Sequence, residues 1–175
     1  MSNIFLASDH HLGHIGVTQF LNQYGNKLRP WDNTEDMDEA LIENHNKVVS
    51  PNDRVWFLGD VIINRKYMSK IARFNGRKKL IMGNHDIFRA SEYLTVFEDI
   101  KSYTVLDNII CSHIPVHPDS KSRFRGNVHG HLHSNNVMLP NDPRKKDPYY
   151  FNVCVEQISY TPIPLESIRK YYSDL

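Results

Sequence analysis

Long hydrophobic runs are missing from this chain, and so is any excess of charge of one sign. No apolar stretch approaches the ~20 residues that a membrane-spanning helix requires, so no membrane association is expected. Lys and Arg number 21 against 20 Asp and Glu, a formal net charge of +1. Charge alone therefore points neither to a nucleic-acid binder nor to a membrane-surface protein. Cysteine is scarce: Cys111 and Cys154 are the only two. Each sits in an apolar, strand-like run, so they read as small buried hydrophobes in a reducing compartment and not as a disulfide framework. The opening Met1-Ser2-Asn3 has no basic segment ahead of an apolar one, so no signal peptide is expected. Internal repeats, low-complexity tracts and linkers are lacking too. The 175 residues, 40% of them apolar, suffice for one buried core. A single cytoplasmic domain spanning residues 1–175 is expected.

What the chain does contain is a series of short His/Asp/Asn clusters, each closing an apolar run. They are Asp9-His10-His11, Gly59-Asp60, Gly83-Asn84-His85-Asp86 and Gly130-His131-Leu132-His133, with His113 alone after a further run. Strands are expected over Ile4–Ala7, Arg54–Leu58, Lys79–Met82, Asn127–Gly130 and Tyr149–Val155. A hairpin is expected from Ser102–Leu106 and Ile109–Ser112 around Asp107-Asn108. A helix is expected over Thr34–Val49, with Asp32, Asn33 and Thr34 as cap candidates and Met37, Leu41 and Val48 at helical spacing. Shorter helices are expected over Met68–Phe74, Ser91–Phe97 and Leu165–Tyr172, with a helical turn around Thr18–Leu21 in an otherwise irregular segment. Strand-helix alternation followed by a run of strands predicts mixed layers of sheet flanked by helices.

Asp9 and His11 are two residues apart, as are His131 and His133. In extended backbone that spacing puts both side chains on one face, about 6.5–7 Å apart at Cα, so that they converge on one cation. Gly59 and Gly83 precede their ligand candidates, where a missing Cβ permits a sharp turn and close backbone approach. Asn84 offers a neutral hard oxygen. Each fragment alone is weak, since a lone His or Asp is commonly a core, turn or capping residue; Asp60 reads equally as a turn acid and Asp86 as a helix N-cap. Their joint occurrence at successive strand ends is a strong signal for a pair of divalent cations and phosphoester chemistry, at the place where sites in open α/β sheets lie.

This set of residues resembles the full motif set of the calcineurin-like metallophosphoesterases. The resemblance spans residues 4 to about 155. It includes the run Asn75-Gly76-Arg77-Lys78-Lys79-Leu80-Ile81-Met82-Gly83-Asn84-His85-Asp86, found often in short single-domain bacterial and phage members. It implies an α/β fold in which two mixed β-sheets pack as a sandwich flanked by helices. It also implies that Asp9, His11 and His133 hold one metal, that Asn84, His113 and His131 hold the second, and that Asp60 bridges both. His85 would bind no metal and would face the substrate, as a proton donor to the leaving oxygen or a ligand of the phosphoryl oxygens. The reaction expected is direct attack on phosphorus by a metal-bridging hydroxide, without a phospho-enzyme. A metal pair balanced by only Asp9 and Asp60 stays net positive and attracts a phosphoryl anion. Manganese is the expected metal, with Fe, Ni and Zn also suited to a mixed His/Asp/Asn site.

The expected substrate is a phosphodiester in preference to a phosphomonoester, because a chain this short leaves little for a cap domain; nucleotides and nucleic acids are among the partners the resemblance admits. His14, Arg65 and Arg123 are weaker candidates for substrate contact, each also explicable as a solvated loop residue. The basic stretch Lys121–Arg125 is a candidate for steering an anion. Arg144-Lys145-Lys146 reads as a surface turn, and Arg29-Pro30-Trp31 as a core anchor through Trp31. The competing function is a non-catalytic interaction scaffold on the same shell, which degenerate ligands would favour; none of the seven is degenerate. The literal Asp9-His10-His11 also matches the motif that names the DHH phosphoesterases, but without the acidic strand motif and second domain that accompany it there.

Overall fold

The computed structural model describes residues 2–175 and opens with the apolar run Ile4–Ala7 as strand β1. A one-turn helix α1 (Ile15–Gln19) and the long helix α2 (Thr34–Val48) follow. Helix α2 starts where the Asn33 side chain accepts a hydrogen bond from Asp36 N at 2.8 Å, satisfying an amide that has no partner within the helix. Strand β2 (Arg54–Phe57), helix α3 (Met68–Ile71), strand β3 (Arg77–Ile81), helix α4 (Ala90–Tyr93) and strand β4 (Asp99–Lys101) complete the first half. The second half is mostly strand: β5 (Tyr103–Leu106), β6 (Ile109–Ser112), β7 (Gly126–His129), β8 (Met138–Leu139), β9 (Asp142–Lys146), β10 (Tyr150–Asn152) and β11 (Ile163–Pro164). Helix α5 (Leu165–Ser173) closes the chain.

Among the described residues the strands form two main sheets, ordered β11-β1-β2-β3-β4 and β10-β7-β6-β5, with β8 and β9 as a separate pair. Strands β1 to β4 run parallel, and so do β6, β7 and β10; β11 and β5 are antiparallel edges. The central strands are apolar on both faces because both faces are covered. Phe5, Val55, Phe57 and Leu80 face a core shared with α2, α3 and α4, where Met37, Leu41, Ile71 and Phe74 are buried. Their neighbours Leu6, Trp56, Leu58 and Ile81 face the other way. They meet Ile109, Cys111 and Val128 of the second sheet, and Ile168 and Tyr172 of α5. Each such side chain, fully buried, contributes about 1.5–3 kcal/mol. The result is the sandwich of mixed sheets with flanking helices that the motif set implies.

Several elements differ from expectation for local reasons. Helix α1 lies three residues earlier than the predicted turn because Leu21 pairs with Lys27 in an antiparallel bridge. Helix α4 ends at Tyr93; Leu94 to Phe97 continue as hydrogen-bonded turns that hand the chain to β4. Arg144-Lys145-Lys146 lies within β9 and not in a turn, with Lys146 paired to Met138.

Beyond the ends of β1 and β2 the two chains stay hydrogen-bonded: Asp9 N to Gly59 O at 3.0 Å, His11 N to Asp60 O at 3.0 Å and Leu12 N to Val61 O at 2.9 Å. Ser8 N donates to Val153 O at 2.9 Å and Val155 N to Ser8 O at 3.1 Å, stitching the first sheet to the second at the same end. The carboxyl ends of β1, β2, β3, β6 and β7 therefore meet in one place.

Candidate active site

The structure brings all seven predicted metal ligands to that place. Asp9, His11 and His133 offer ligand atoms within 4.8 Å of one another, and so do Asp60, His113 and His131. Asn84 joins the second group, its Oδ1 lying 2.9 Å from His113 Nε2. Asp60 Oδ2 faces both groups, 3.8 Å from His11 Nε2 and 3.4 Å from His113 Nε2.

The side chains converge by a route the strand argument did not foresee. Strand β1 stops at Ala7 and β7 at His129, so neither Asp9/His11 nor His131/His133 lies in extended backbone. Instead Asp9, His11, Asp60, His131 and His133 all adopt positive φ, from 49° to 68°. For residues with a Cβ this left-handed conformation is strained, and such strain collects at functional sites when the surroundings over-determine it. Here the surroundings do so through close backbone packing. A Cβ on Gly83 would stand 2.2 Å from Asp60 Oδ1, and one on Gly59 (φ 94°) would stand 2.5 Å from His113 Nδ1.

Hydrogen bonds aim the ligand atoms. Asp9 Oδ2 accepts from Ser8 Oγ at 2.6 Å, His131 N at 2.8 Å and Cys154 Sγ at 3.2 Å. Its Oδ1 is buried without a protein partner, as is His11 Nε2. Unpartnered buried polar atoms are costly, and two that face one another through a shared gap are what a cation would satisfy. His113 Nδ1 donates to Leu58 O at 2.7 Å and His133 Nδ1 to Glu156 Oε1 at 3.1 Å, turning each Nε2 inward. Such partners fix the tautomer and ring orientation of metal-binding histidines. The donor set and its orphaned atoms fit a pair of divalent cations.

The local charges agree. Burial alone would raise the Asp9 and Asp60 carboxyls, but hydrogen bonds and charge from the imidazoles hold both below the usual carboxylate range. Burial alone would lower His113 and His133; Asp60 and Asp9 outweigh it at His113, and Glu156 outweighs it at His133, so both are raised. His131 is lowered, first by desolvation and then by the charge of His113.

Sequence reasoning missed three supporting residues. Asp86, which belongs to the Gly83-Asn84-His85-Asp86 motif and read alone as a helix cap, clamps the two strand-end loops, accepting from Asp60 N at 2.7 Å, Gly83 N at 2.9 Å and Val61 N at 3.2 Å. Glu156, its side chain 4% exposed, holds His133. Arg29, fully buried, donates to Glu156 Oε1 at 2.8 Å and to His10 O at 2.7 Å. Asp86 was visible within its motif, but nothing in the sequence ties Arg29 to Glu156 across 127 positions.

Among the other candidates, His85 is exposed at the mouth. Its ring lies 5.6 Å from that of His11, and its backbone N donates to Asp60 Oδ1 at 2.8 Å. His14 lies beside the same ring at 5.8 Å. Arg65 is committed to Glu92, with an Nη2–Oε2 distance of 3.2 Å, and rests 5.0 Å over Phe88. Arg123 is exposed at the end of the 3-10 turn Pro118–Arg123, while its neighbours Lys121 and Arg125 engage Asp147 and Tyr172 O. His10 points away from the site into the helix-covered core, 4.9 Å from the Phe57 ring.

Known proteins resemble this chain over most of its length. An uncharacterized protein of Methanocaldococcus jannaschii, MJ1445, is 32% identical, covering 97% of this chain and 91% of that one. The gene 66 protein of Mycobacterium phage L5 is 28% identical over 77% of this chain and 79% of its own length. The crystal structure of AQ665, a protein of unknown function from Aquifex aeolicus, superposes with a TM-score of 0.68 at 25% identity, covering 97% of this chain and 99% of that one. The family model for calcineurin-like phosphoesterases matches residues 2–167, which include every ligand described above, and the chain belongs to that metal-dependent phosphoesterase family.

Proposed function

We propose that the chain is a dinuclear phosphoesterase that hydrolyses phosphodiesters in preference to phosphomonoesters, with Asp9, His11 and His133 holding one cation, Asn84, His113 and His131 the other, and Asp60 between them. Manganese is the favoured metal, since imidazole, carboxylate and amide oxygen together suit it, and Fe, Ni or Zn would fit the same donors. The observation that carries this reading is the position of Asp60 Oδ2, within 3.8 Å of a ligand nitrogen in each group. When bound, a metal pair would supply an activated water and stabilise charge on the attacking and departing oxygens.

Neither the serines nor the cysteine beside the ligand groups is poised as a nucleophile, which supports attack by water. The Ser8 hydroxyl is fully buried and donates to Asp9, and Ser112 Oγ donates to Ile114 O at 2.7 Å. The Cys154 thiol is raised well above its ordinary range by burial and the adjacent carboxylates. Inversion at phosphorus is therefore expected; retention would contradict this reading. His85, exposed beside the ligand groups, is the residue proposed to protonate the departing oxygen or hold a phosphoryl oxygen, and His14 faces the substrate from the other flank. Arg65 and Arg123 stay outside this scheme, since nothing in the fold aims either at the ligands.

Diester preference is supported by space on both flanks. A shallow cavity of about 350 Å³ lies against Asn84 and His113, and a larger one opens beyond His133. A phosphorus carrying two substituents can place one on each side. The test is hydrolysis of bis(p-nitrophenyl) phosphate and p-nitrophenyl phosphate by metal-stripped protein with Mn²⁺, Ni²⁺, Zn²⁺ or Mg²⁺ restored. Faster diester turnover, dependent on metal, is expected. Turnover of the monoester alone would overturn the diester preference, and no turnover with two ions bound would favour a non-catalytic scaffold.

A further inference from the structure

Two neighbouring cavities lie beside the site and together outline a trough. The nearer, of about 920 Å³, is lined by Tyr24, Ser134, Asn135, Arg144 and Lys146 among others. The farther, of about 500 Å³, has aromatic walls in Tyr150, Phe151 and Tyr171. They share Asn136, Lys146 and Gln157 as a common wall. The trough begins one residue from a metal ligand. Gln157 Nε2 donates to His133 O at 3.0 Å, and Asn152 Nδ2 donates to His133 O at 3.1 Å and to Asn135 O at 2.8 Å, so its rim is tied to the catalytic loop.

The trough has the chemistry of a polyanion carrying aromatic bases. No Asp or Glu among the described residues lines either cavity. Arg144 leans on Asp142 at 3.1 Å outside the lining, and Lys146 forms no salt bridge among the described residues. Tyr24 is 78% exposed at the tip of a turn that Asn22 holds by accepting from Tyr24 N (2.9 Å) and Asn26 N (3.1 Å). A solvent-facing ring on a hydrogen-bonded turn offers a stacking platform, and side-chain amides match the donor and acceptor edges of bases. Each cavity alone is the size a drug-like ligand fills, so together they exceed a single nucleotide. Bases paired inside a duplex could not reach Tyr24 or the aromatic walls.

We propose that this trough binds a single-stranded oligonucleotide, making the chain a nuclease for single strands; the substrate class rests on the phosphodiesterase reading above. The strand's phosphates would follow Arg144 and Lys146 while a base stacks on Tyr24. Hydrolysis breaks one P–O ester bond and forms a P–OH bond to the oxygen of water, whose released proton passes to the departing oxygen, leaving a phosphomonoester end and a hydroxyl end.

The test measures anisotropy of 5′-fluorescein-labelled dT10 on metal-stripped protein, alongside bis(p-nitrophenyl) phosphate turnover by the Mn²⁺-loaded wild type. Arg144→Glu/Lys146→Glu is expected to weaken dT10 binding at least tenfold. It should also flatten the dependence of log K on log salt by about 1.4, for two phosphate contacts to a single strand. Tyr24→Ala is expected to weaken binding about fivefold or more. A double variant of equal charge change elsewhere, Lys47→Glu/Lys66→Glu, should bind like wild type. No binding by wild type, unchanged binding in the trough variants, or equal loss in the control pair would overturn the trough. Oligonucleotide binding lost in the trough variants while the wild type hydrolyses no diester would sink the phosphodiesterase reading and leave the trough standing.

Discussion

One pair of histidines lies in the helix-covered core of the first sheet and another at the carboxyl ends of the strands, and only the second faces carboxylates. His10 and His45 sit among Phe57 and Phe74 in the helix-covered core, with ring centroids 4.7–5.8 Å apart. Burial drives His10 down to about 3 and His45 to about 4. His113, buried, and His133, half-buried, are raised because Asp60 and Glu156 stand against them. His10 and His11 are consecutive and each 2% exposed, yet one packs against phenylalanine and the other against Asp9 and Asp60. Burial alone does not make a histidine a ligand; an opposed carboxylate and an inward-turned nitrogen do.

The contrast can be broken hardest at Asp60, the carboxylate that faces both candidate ligand groups. Asp60→Asn is expected to abolish metal-dependent turnover while circular dichroism stays native. His85→Ala is expected to lower kcat about 10²- to 10⁴-fold, the usual worth of a positioned proton donor, with metal stoichiometry unchanged and the pH–rate profile altered. Near-normal turnover or an unaltered profile would remove His85 from the mechanism. Glu156→Gln touches no metal but releases His133 Nδ1 from its charged partner. A loss of about 10- to 100-fold in affinity for one of two cations is expected, the scale typical of such outer partners, and equal weakening of both would argue for general loosening instead.

The remaining effect is on stability and belongs to the helix-covered core. The His45 ring is held neutral when folded, with Nε2 2.9 Å from Asn75 O and Nδ1 unpartnered. Its folded pKa is about 4 against 6.5 in the unfolded chain, so between those values the unfolded state binds more protons. Stability is thus fully present above pH 6.5 and is lost as pH falls toward 4, by up to about 3 kcal/mol. His45→Gln removes the titration, and the fall in Tm between pH 7 and pH 4 should be smaller in the variant than in wild type. An equal fall in both would show that His45 does not carry this acid sensitivity.

Much of the architecture is written locally. The helix expected over Thr34–Val49 spans Thr34–Val48, and the hairpin around Asp107-Asn108 lies within one residue of its predicted bounds. Both are set by caps, turn residues and periodicity acting over a few positions. Strands β4, β8, β9 and β11 were not legible, because each is short or polar and exists through a partner strand. The candidate ligands could be picked out because apolar runs deliver them to strand ends. Their conformation could not: the alternation of Asp9 and His11 suggests extended backbone, whereas long-range packing of Gly59 and Gly83 around Asp60 and His113 accompanies left-handed residues there. Arg29 shows the same limit. A fully buried arginine is legible only once Glu156 is known to meet it.

The most direct test of the central claim, that two groups of ligands meet at Asp60, is the number of ions bound. Calorimetric titration of metal-stripped protein with Mn²⁺, checked by elemental analysis of the dialysed complex, should give two ions per chain in wild type and fewer than two tightly bound in Asp60→Asn. One ion per chain in wild type, or two of unchanged affinity in the variant, would contradict a shared carboxylate and the dinuclear mechanism with it.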